Sequence, residues 1–198
     1  MKLYLVRHGE SEFNRIGEEA GSDSPLSELG WQQAEQLGRW LRDHGPFHAF
    51  YSSPLKRALQ TAEVLSQHID APPPIVLDTL RESDFHLIDV LPQYDDPLKP
   101  ILHPGEPAFP DSYQRFRGQV ETALRTIVSD GIVNGHQKIL VVAHGGTLGT
   151  IVRTLVGCHR ISVWSQNCCV HCLAWTDQRW EIRFMNRIDF LEYSRSRE

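Results

Sequence analysis

Two stretches of this sequence decide the fold: LYLVRHGE at residues 3–10 and ILVVAHGG at residues 139–146. In each, an apolar run passes directly into a histidine followed by glycine. Such a run is typical of a strand that helices cover on both faces. If the two strands are parallel, His8 and His144 emerge at the carboxyl edge of one sheet, where open α/β folds place their ligands.

Further apolar runs predict strands at 47–51 and 75–77, with two more at 168–175 and 180–184. Ser53 and Pro54 predict the start of a helix, as its N-cap and first helical residue. Strands that alternate with helices predict an α/β fold, a three-layer α/β/α domain with a mostly parallel central sheet. Four groups of apolar residues have helical spacing: Ala34, Leu37, Gly38 and Leu41; Ala58, Ala62, Leu65 and Ile69; Phe116, Val120, Ala123 and Ile127; Leu148, Ile151, Val152 and Leu155.

Length and composition favour one globular domain over residues 1–198. The formal net charge is −5 without blocks of like charge, which argues against a nucleic-acid-binding protein. The apolar run at residues 3–6 is too short for a signal-peptide core or a membrane span, so we expect a cytoplasmic protein. Cys169 and Cys172 form a C-x-x-C pattern, but on a strand they would point to opposite faces, which favours ordinary buried thiols.

One irregular segment interrupts the pattern at residues 85–111, with six prolines between Pro92 and Pro110. A long segment without regular structure in a compact domain is usually functional or disordered. The segment is therefore either a substrate-side insertion that covers the site or a surface excursion.

Other polar residues follow the predicted strands and complete an anion pocket. Arg7 precedes His8, and Arg57 lies in the first turn of the helix after the strand at 47–51. A guanidinium binds phosphate oxygens with two parallel hydrogen bonds and keeps its charge. Glu82 supplies an acid beyond the strand at 75–77, and a helix that starts soon after Gly146 adds a positively polarised N-terminus suited to an anion.

Together these motifs resemble the histidine phosphatase superfamily, the phosphoglycerate mutase-like group, in its phosphatase branch. They occur in the family's order and cover roughly residues 1–82 and 138–156. The motifs are RHGES at 7–11 with Asn14, PLSELG at 25–30, SSPLKRA at 52–58 with Thr61 and Ala62, LRE at 80–82, and HGG at 144–146.

The resemblance implies a role for each matched position. His8 would be the nucleophile that becomes phosphorylated. Glu82 would donate a proton to the leaving alkoxide. The phosphoryl oxygens would be held by Arg7, Arg57 and His144, with Asn14 and the Gly145 backbone assisting.

The chemistry of phosphate esters agrees with this assignment. Transfer to an imidazole and then to water replaces one difficult step by two easier ones. His8 must be neutral to attack, and adjacent cations favour that form. Because arginines supply the positive charge, we expect neither a metal nor a cofactor, and we expect a small phosphorylated metabolite as the partner, with no nucleic acid and no membrane.

Several alternatives stay open at this point. Asp84 could replace Glu82 as the acid, because the residues after Glu82 lack the glycines of many relatives. The chain could be a phosphoglycerate mutase, a pseudoenzyme that binds phosphorylated ligands, or a phosphoprotein phosphatase. The sequence decides neither the physiological substrate nor whether the chain forms a homodimer.

Overall fold

The computed structural model describes residues 1–99, 105 and 107–192. In them, one sheet has the strand order β3-β2-β4-β1-β5-β6. Strands β1 to β4 are parallel, while β5 and β6 are antiparallel. The predicted mostly parallel α/β sheet is therefore confirmed. The strands are β1 (Lys2–Arg7), β2 (Ala49–Ser52), β3 (Ile75–Val76), β4 (Lys138–Ala143), β5 (Val170–Thr176) and β6 (Arg179–Arg187).

Helices cover both faces of this sheet, because the side chains of its strands alternate between two apolar clusters. Leu3 and Leu5 pack with α5 (Asp111–Val133) and α6 (Gly145–Val156). Tyr4 and Val6 pack with α2 (Glu28–Arg42) and α3 (Lys56–Ser66). Within the described residues, no helix is long and apolar enough to span a membrane. The helices are α1 (Glu12–Ile16), α2 (Glu28–Arg42), α3 (Lys56–Ser66), α4 (Leu87–Val90), α5 (Asp111–Val133) and α6 (Gly145–Val156), with short 3₁₀ turns at Gly17–Ala20 and Asp78–Leu80.

The register of the parallel strands brings the two histidines together. Arg7 is opposite Ala143 at the end of β1 and β4. The backbone N–H of His8 then donates to the carbonyl of Ala143, at 3.0 Å. His8 and His144 consequently leave the sheet side by side, as the sequence predicts.

The predicted start of α3 at Ser53 and Pro54 is wrong. The helix begins at Lys56, and its N-cap is Leu55. Ser53 instead extends the sheet, because its backbone N–H donates to the carbonyl of Val142 at 2.9 Å. Its hydroxyl lies 2.7 Å from Nε2 of His144, so a tertiary contact replaces the local cap.

The loop after His8 is held by the segment at residues 25–30. The backbone of Ser27 donates to the carbonyl of Glu10 at 2.9 Å, and its hydroxyl donates to the Glu10 carboxylate at 2.7 Å. A Cβ on Gly30 would lie only 1.9 Å from the Glu10 carbonyl oxygen, and one on Gly9 would lie 2.5 Å from the Gly30 carbonyl oxygen. Glycine at both positions therefore allows α2 to approach the loop that presents His8.

The proline-rich segment predicted at 85–111 contains the short helix α4. Phe85, at its start, packs edge-on against Phe116 of α5, with ring centroids 6.0 Å apart. Residues 100–104 and 106 of the predicted insertion lie outside the described residues.

The cysteines of the C-x-x-C pattern are free and buried, as predicted. Cys172 belongs to the cluster around Tyr4, whereas Cys169 precedes β5 and has its sulfur 3.6 Å from Nε2 of His171. Burial raises the pKa of Cys169 to about 12, which leaves the thiol protonated and unreactive at neutral pH.

Candidate active site

A cavity of about 540 Å³ opens at the carboxyl edge of the parallel strands. His144 lies behind it, fully buried, with its ring centroid 5.1 Å from that of His8. The structure therefore brings the predicted residues of four separate motifs to one place. The cavity is lined by Arg7, His8, Asn14, Arg57, Glu82 and Asp84, together with Phe13, Glu18, Ser22, Ser83, Phe85, His86, Leu87 and Gly146.

The imidazole of His8 is held in one tautomer. Its Nδ1 lies 2.7 Å from the carbonyl oxygen of Gly9, which is only an acceptor, so Nδ1 carries the proton. Nε2 is then unprotonated, and it accepts a hydrogen bond of 3.1 Å from Nε of Arg57. Burial, and then the charges of His144, Arg7 and Arg57, lower the pKa of His8 well below its usual range. The lone pair of the neutral imidazole therefore lies at Nε2, where it accepts the hydrogen bond from Arg57.

We expect His8 to be neutral and protonated on Nδ1 at pH 6. A lowered pKa means that the proton is lost at lower pH. In the pH profile of kcat/KM, the apparent pKa of the acidic limb that reports His8 should therefore lie below the usual range of histidine pKa values. Nitrogen NMR of the imidazoles, with the His8 signals identified by their loss in His8→Ala, measures the tautomer directly. A doubly protonated His8 at pH 6 would contradict this expectation.

Arg57 is fixed on two sides. Its Nη1 donates to the backbone carbonyl of Ser22 at 2.6 Å, while its Nε donates to His8. Thr61, one turn later on α3, donates its hydroxyl to the Arg57 carbonyl at 2.7 Å and accepts from the backbone N–H of Gly9 at 3.1 Å. The same helix therefore places the guanidinium and anchors the loop of His8.

Arg7 is held by residues that the sequence analysis missed. Its Nη1 donates to the carbonyl of Ser165 at 2.6 Å. The Ser165 hydroxyl lies 2.8 Å from Nε2 of His171, whose Nδ1 accepts from the backbone N–H of Asn186 at 3.0 Å. Burial lowers the pKa of His171 to about 4, so this histidine is neutral and donates from Nε2. The antiparallel strands thus supply a buried support for a guanidinium at the end of β1.

His144 has one imidazole nitrogen engaged and one available. Nε2 contacts the hydroxyl of Ser53 at 2.7 Å, and Nδ1 is buried with no hydrogen-bond partner among the residues that the structure describes. Burial, and then the charges of Arg57 and Arg7, lower the pKa of His144 well below its usual range. Leaving a buried polar atom unpaired costs about 1–3 kcal/mol, and an anion bound beside His8 could supply the missing partner.

Glu82 is held at the N-terminus of α6. Its Oε2 accepts from the backbone N–H of Gly146 at 2.8 Å, and its Oε1 accepts from that of Ser83 at 3.0 Å. Its negative charge also acts on Arg57. The Glu82 carboxylate is therefore fixed close to the guanidinium of Arg57, whereas Asp84 is an exposed residue of the cavity lining.

Replacement of Gly146 by alanine is expected to displace Glu82. An added Cβ would lie 2.5 Å from Oε1 of Glu82, whereas one on Gly145 would make only an ordinary contact, 3.6 Å from Nε of Arg7. On the role that the resemblance implies for Glu82, we expect Gly146→Ala to lower kcat for an alkyl phosphate by about 10- to 100-fold, because misplacing a proton donor by an ångström costs this much. Gly145→Ala is the comparison and should lose several-fold less; equal losses would contradict the assignment.

Asn14 and Gly145 occupy different parts of the site. Oδ1 of Asn14 accepts from the backbone N–H of Ser11 at 3.2 Å and from Nδ2 of Asn167 at 3.1 Å. The amide oxygen is thus occupied, which leaves the amide NH₂ of Asn14 as its donor at the cavity wall. Gly145 begins α6 behind Arg7, and it is Gly146 that lines the cavity.

Comparisons with known proteins agree on one family. The model of the histidine phosphatase superfamily (branch 1) matches residues 3–188. A relative from Salmonella typhi named adenosylcobalamin/alpha-ribazole phosphatase is 32% identical, over 83% of this chain and 84% of its own length. A relative from Salmonella arizonae named probable phosphoglycerate mutase GpmB is also 32% identical, over 91% and 87%. The crystal structure of phosphoglycerate mutase from Bacillus anthracis is 22% identical, covers 96% of this chain and 94% of its own, and superposes with a TM-score of 0.73.

Proposed function

Since the chain belongs to branch 1 of the histidine phosphatase superfamily, we propose that it hydrolyses a small phosphate monoester through a phosphohistidine at His8. The main support for this proposal is the protonation and hydrogen bonding of Nε2 of His8. Nε2 of His8, a residue that lines the cavity, is unprotonated and accepts a hydrogen bond of 3.1 Å from Nε of the buried Arg57. An uncharged nucleophile beside a fixed cation is what transfer of an anionic phosphoryl group requires.

In the first step, the guanidinium groups of Arg7 and Arg57 hold the phosphoryl oxygens, with the imidazole of His144 and the amide of Asn14. Nε2 of His8 loses its hydrogen bond from Arg57, whose guanidinium donates to the phosphoryl oxygens instead, and forms a bond to phosphorus as the ester P–O bond breaks. Glu82, which carries a proton in the complex with the phosphate dianion, gives that proton to the leaving oxygen, so an alcohol departs and a carboxylate remains. The arginines neutralise charge on the oxygens, which accounts for most of the catalysis of phosphoryl transfer.

In the second step, water attacks the phosphohistidine. The Glu82 carboxylate takes a proton from the water as the new P–O bond forms and the P–N bond breaks. Inorganic phosphate leaves, and both His8 and Glu82 return to their starting forms. One residue thus serves as acid and then as base.

The cavity volume of about 540 Å³ suits a small metabolite. Phe85, His86 and Leu87 line it, which supports a substrate-side role for the start of the segment at 85–111. The chemistry proposed for the arginines requires neither metal nor cofactor. A cytoplasmic location and the single-domain organisation over 1–198 stay predictions.

A phosphoglycerate mutase is the second candidate, because relatives with that name are 32% identical to this chain, close to the 32% and 34% of two relatives named as phosphatases. Both activities share the phosphohistidine. The two are separated by giving the protein an aryl phosphate with a chelator, and 3-phosphoglycerate with a bisphosphorylated primer. We expect inorganic phosphate from the first and little 2-phosphoglycerate from the second.

The result that would overturn the proposal is interconversion of the phosphoglycerates faster than phosphate release. Hydrolysis lost with the chelator would refute the metal-free mechanism. If no phosphate ester is hydrolysed, the chain is a phospho-ligand-binding pseudoenzyme. Selective hydrolysis of phosphohistidine or phosphotyrosine in proteins would instead indicate a phosphoprotein phosphatase.

A further inference from the structure

The wall of the cavity differs in charge from its floor. We call the less exposed part of the lining, with the guanidinium groups of Arg7 and Arg57, the floor, and the part with the exposed carboxylates of Glu18 and Asp84 the wall. Among the described residues that line the cavity, these two arginines are the only ones with a permanent positive charge. A substrate whose phosphoryl group occupies the floor would therefore place its alcohol portion beside two acids.

Two arginines that are adjacent in sequence to lining residues form ion pairs with other acids. Arg81, adjacent to Glu82, makes an ion pair with Asp78 at 2.6 Å. Arg15, in α1, makes one with Glu12 at 2.7 Å. Neither of these arginines lines the cavity, so neither balances the carboxylates of its wall.

The sequence of the adjoining segment has the same charge bias. Between residues 83 and 111 there are six carboxyl side chains and one lysine, Lys99. That lysine forms an ion pair with Asp95. Among the described residues, this segment therefore contributes to the cavity one histidine, His86, and neither a lysine nor an arginine that would recognise a carboxylate or a second phosphate on the substrate.

Aromatic side chains complete the wall. Phe13 and Phe85 line the cavity together with the two acids. Carboxylates combined with aromatic faces favour an ammonium group, by Coulomb attraction and by the attraction of a cation to a ring face. The same wall repels a carboxylate on the substrate.

We propose that this cavity prefers phosphate esters of alcohols that carry an ammonium group, as in an amino-alcohol phosphate, over esters of alcohols that carry a carboxylate. The inference rests on the proposed phosphatase function. It assigns Glu18 and Asp84 as specificity-determining residues, which act on the alcohol portion and not on the phosphoryl group.

The test compares three phosphate esters of similar size: phosphoethanolamine, 2-hydroxyethyl phosphate and 2-phosphoglycolate. Their alcohol portions carry a positive charge, no charge and a negative charge at neutral pH. kcat/KM is measured for the parent protein, for the double variant Glu18→Gln/Asp84→Asn, and for the control Glu19→Gln/Asp89→Asn. The control removes two exposed acids that are close in sequence but do not line the cavity.

We expect the ratio of kcat/KM for phosphoethanolamine to that for phosphoglycolate to fall by about tenfold in the double variant and by less than about twofold in the control. Comparing variants cancels the intrinsic reactivity of each ester. Because Glu18 and Asp84 are exposed, the preference should also shrink in about 1 M salt, where charges are screened within about 3 Å.

A ratio that is the same in the parent, double variant and control overturns the inference. So does faster turnover of phosphoglycolate than of phosphoethanolamine by the parent. In both cases hydrolysis of p-nitrophenyl phosphate would leave the proposed phosphatase function standing. Absence of hydrolysis of every ester, p-nitrophenyl phosphate included, would overturn the proposed function and the inference with it.

Discussion

Replacing His8 with alanine is expected to lower kcat by at least about 10⁴-fold on every phosphate ester, because the group that attacks phosphorus is removed. The neighbours of His8 cannot replace it. Arg57 has no lone pair to donate, and His144 lies behind His8 with one nitrogen already engaged by Ser53. Initial rates with p-nitrophenyl phosphate measure the loss over the widest range, since this ester is the most reactive of those considered.

The control for this variant is His48→Ala, which removes an exposed histidine at the opposite end of the sheet. Its activity should equal that of the parent. Because His8 is buried, the His8→Ala protein is also checked by thermal unfolding, so that a loss of activity is not a loss of fold. A folded His8→Ala protein that retains a tenth of the parent activity would show that another residue is the nucleophile.

Replacing Glu82 with glutamine is expected to lower kcat for an alkyl phosphate by about 10²- to 10⁴-fold, the usual contribution of a general acid. Glutamine keeps an oxygen that can accept from the N–H of Gly146, but its amide is not an acid. An aryl phosphate, whose leaving group needs little protonation, should lose far less in the transfer step. This dependence on the leaving group identifies the proton donor, whereas a structural defect would slow both esters equally.

Asp84→Asn is the matched comparison, because Asp84 is the alternative acid. Asp84 is exposed at the cavity wall, whereas Glu82 is fixed on the N-terminus of α6 beside Arg57. We expect Asp84→Asn to lower kcat for an uncharged alkyl ester by less than tenfold. A larger, leaving-group-dependent loss in Asp84→Asn than in Glu82→Gln would assign the donor to Asp84.

The central part of the fold could be predicted because its signals are local. The apolar runs before His8 and His144 are long enough to specify buried strands, and the structure has β1 and β4 there in parallel register. Two histidines that follow adjacent parallel strands must then meet at one edge. The position of Arg57 follows in the same way, because it lies in the first turn of the helix after β2.

The errors and omissions involve contacts between distant parts of the chain. Ser53 has the sequence of an N-cap, but a hydrogen bond to His144, 91 positions later, determines its place. The support of Arg7 by Ser165 and His171 spans 158 positions and depends on a turn that no local pattern predicts. A signal was present nonetheless: His171 is a polar residue within an apolar strand, and a buried polar group requires partners.

The measurement that tests the account most directly is rapid-quench trapping of the phosphoenzyme. The protein is mixed with an aryl phosphate and quenched in alkali, where phosphohistidine survives, and the phosphorylated peptide is identified by mass spectrometry. The account predicts a burst of the aryl alcohol and an acid-labile phosphoryl group on residue 8, both absent from His8→Ala. Turnover without a burst and without a trapped phosphoryl group, or a phosphoryl group on any other residue, would contradict it.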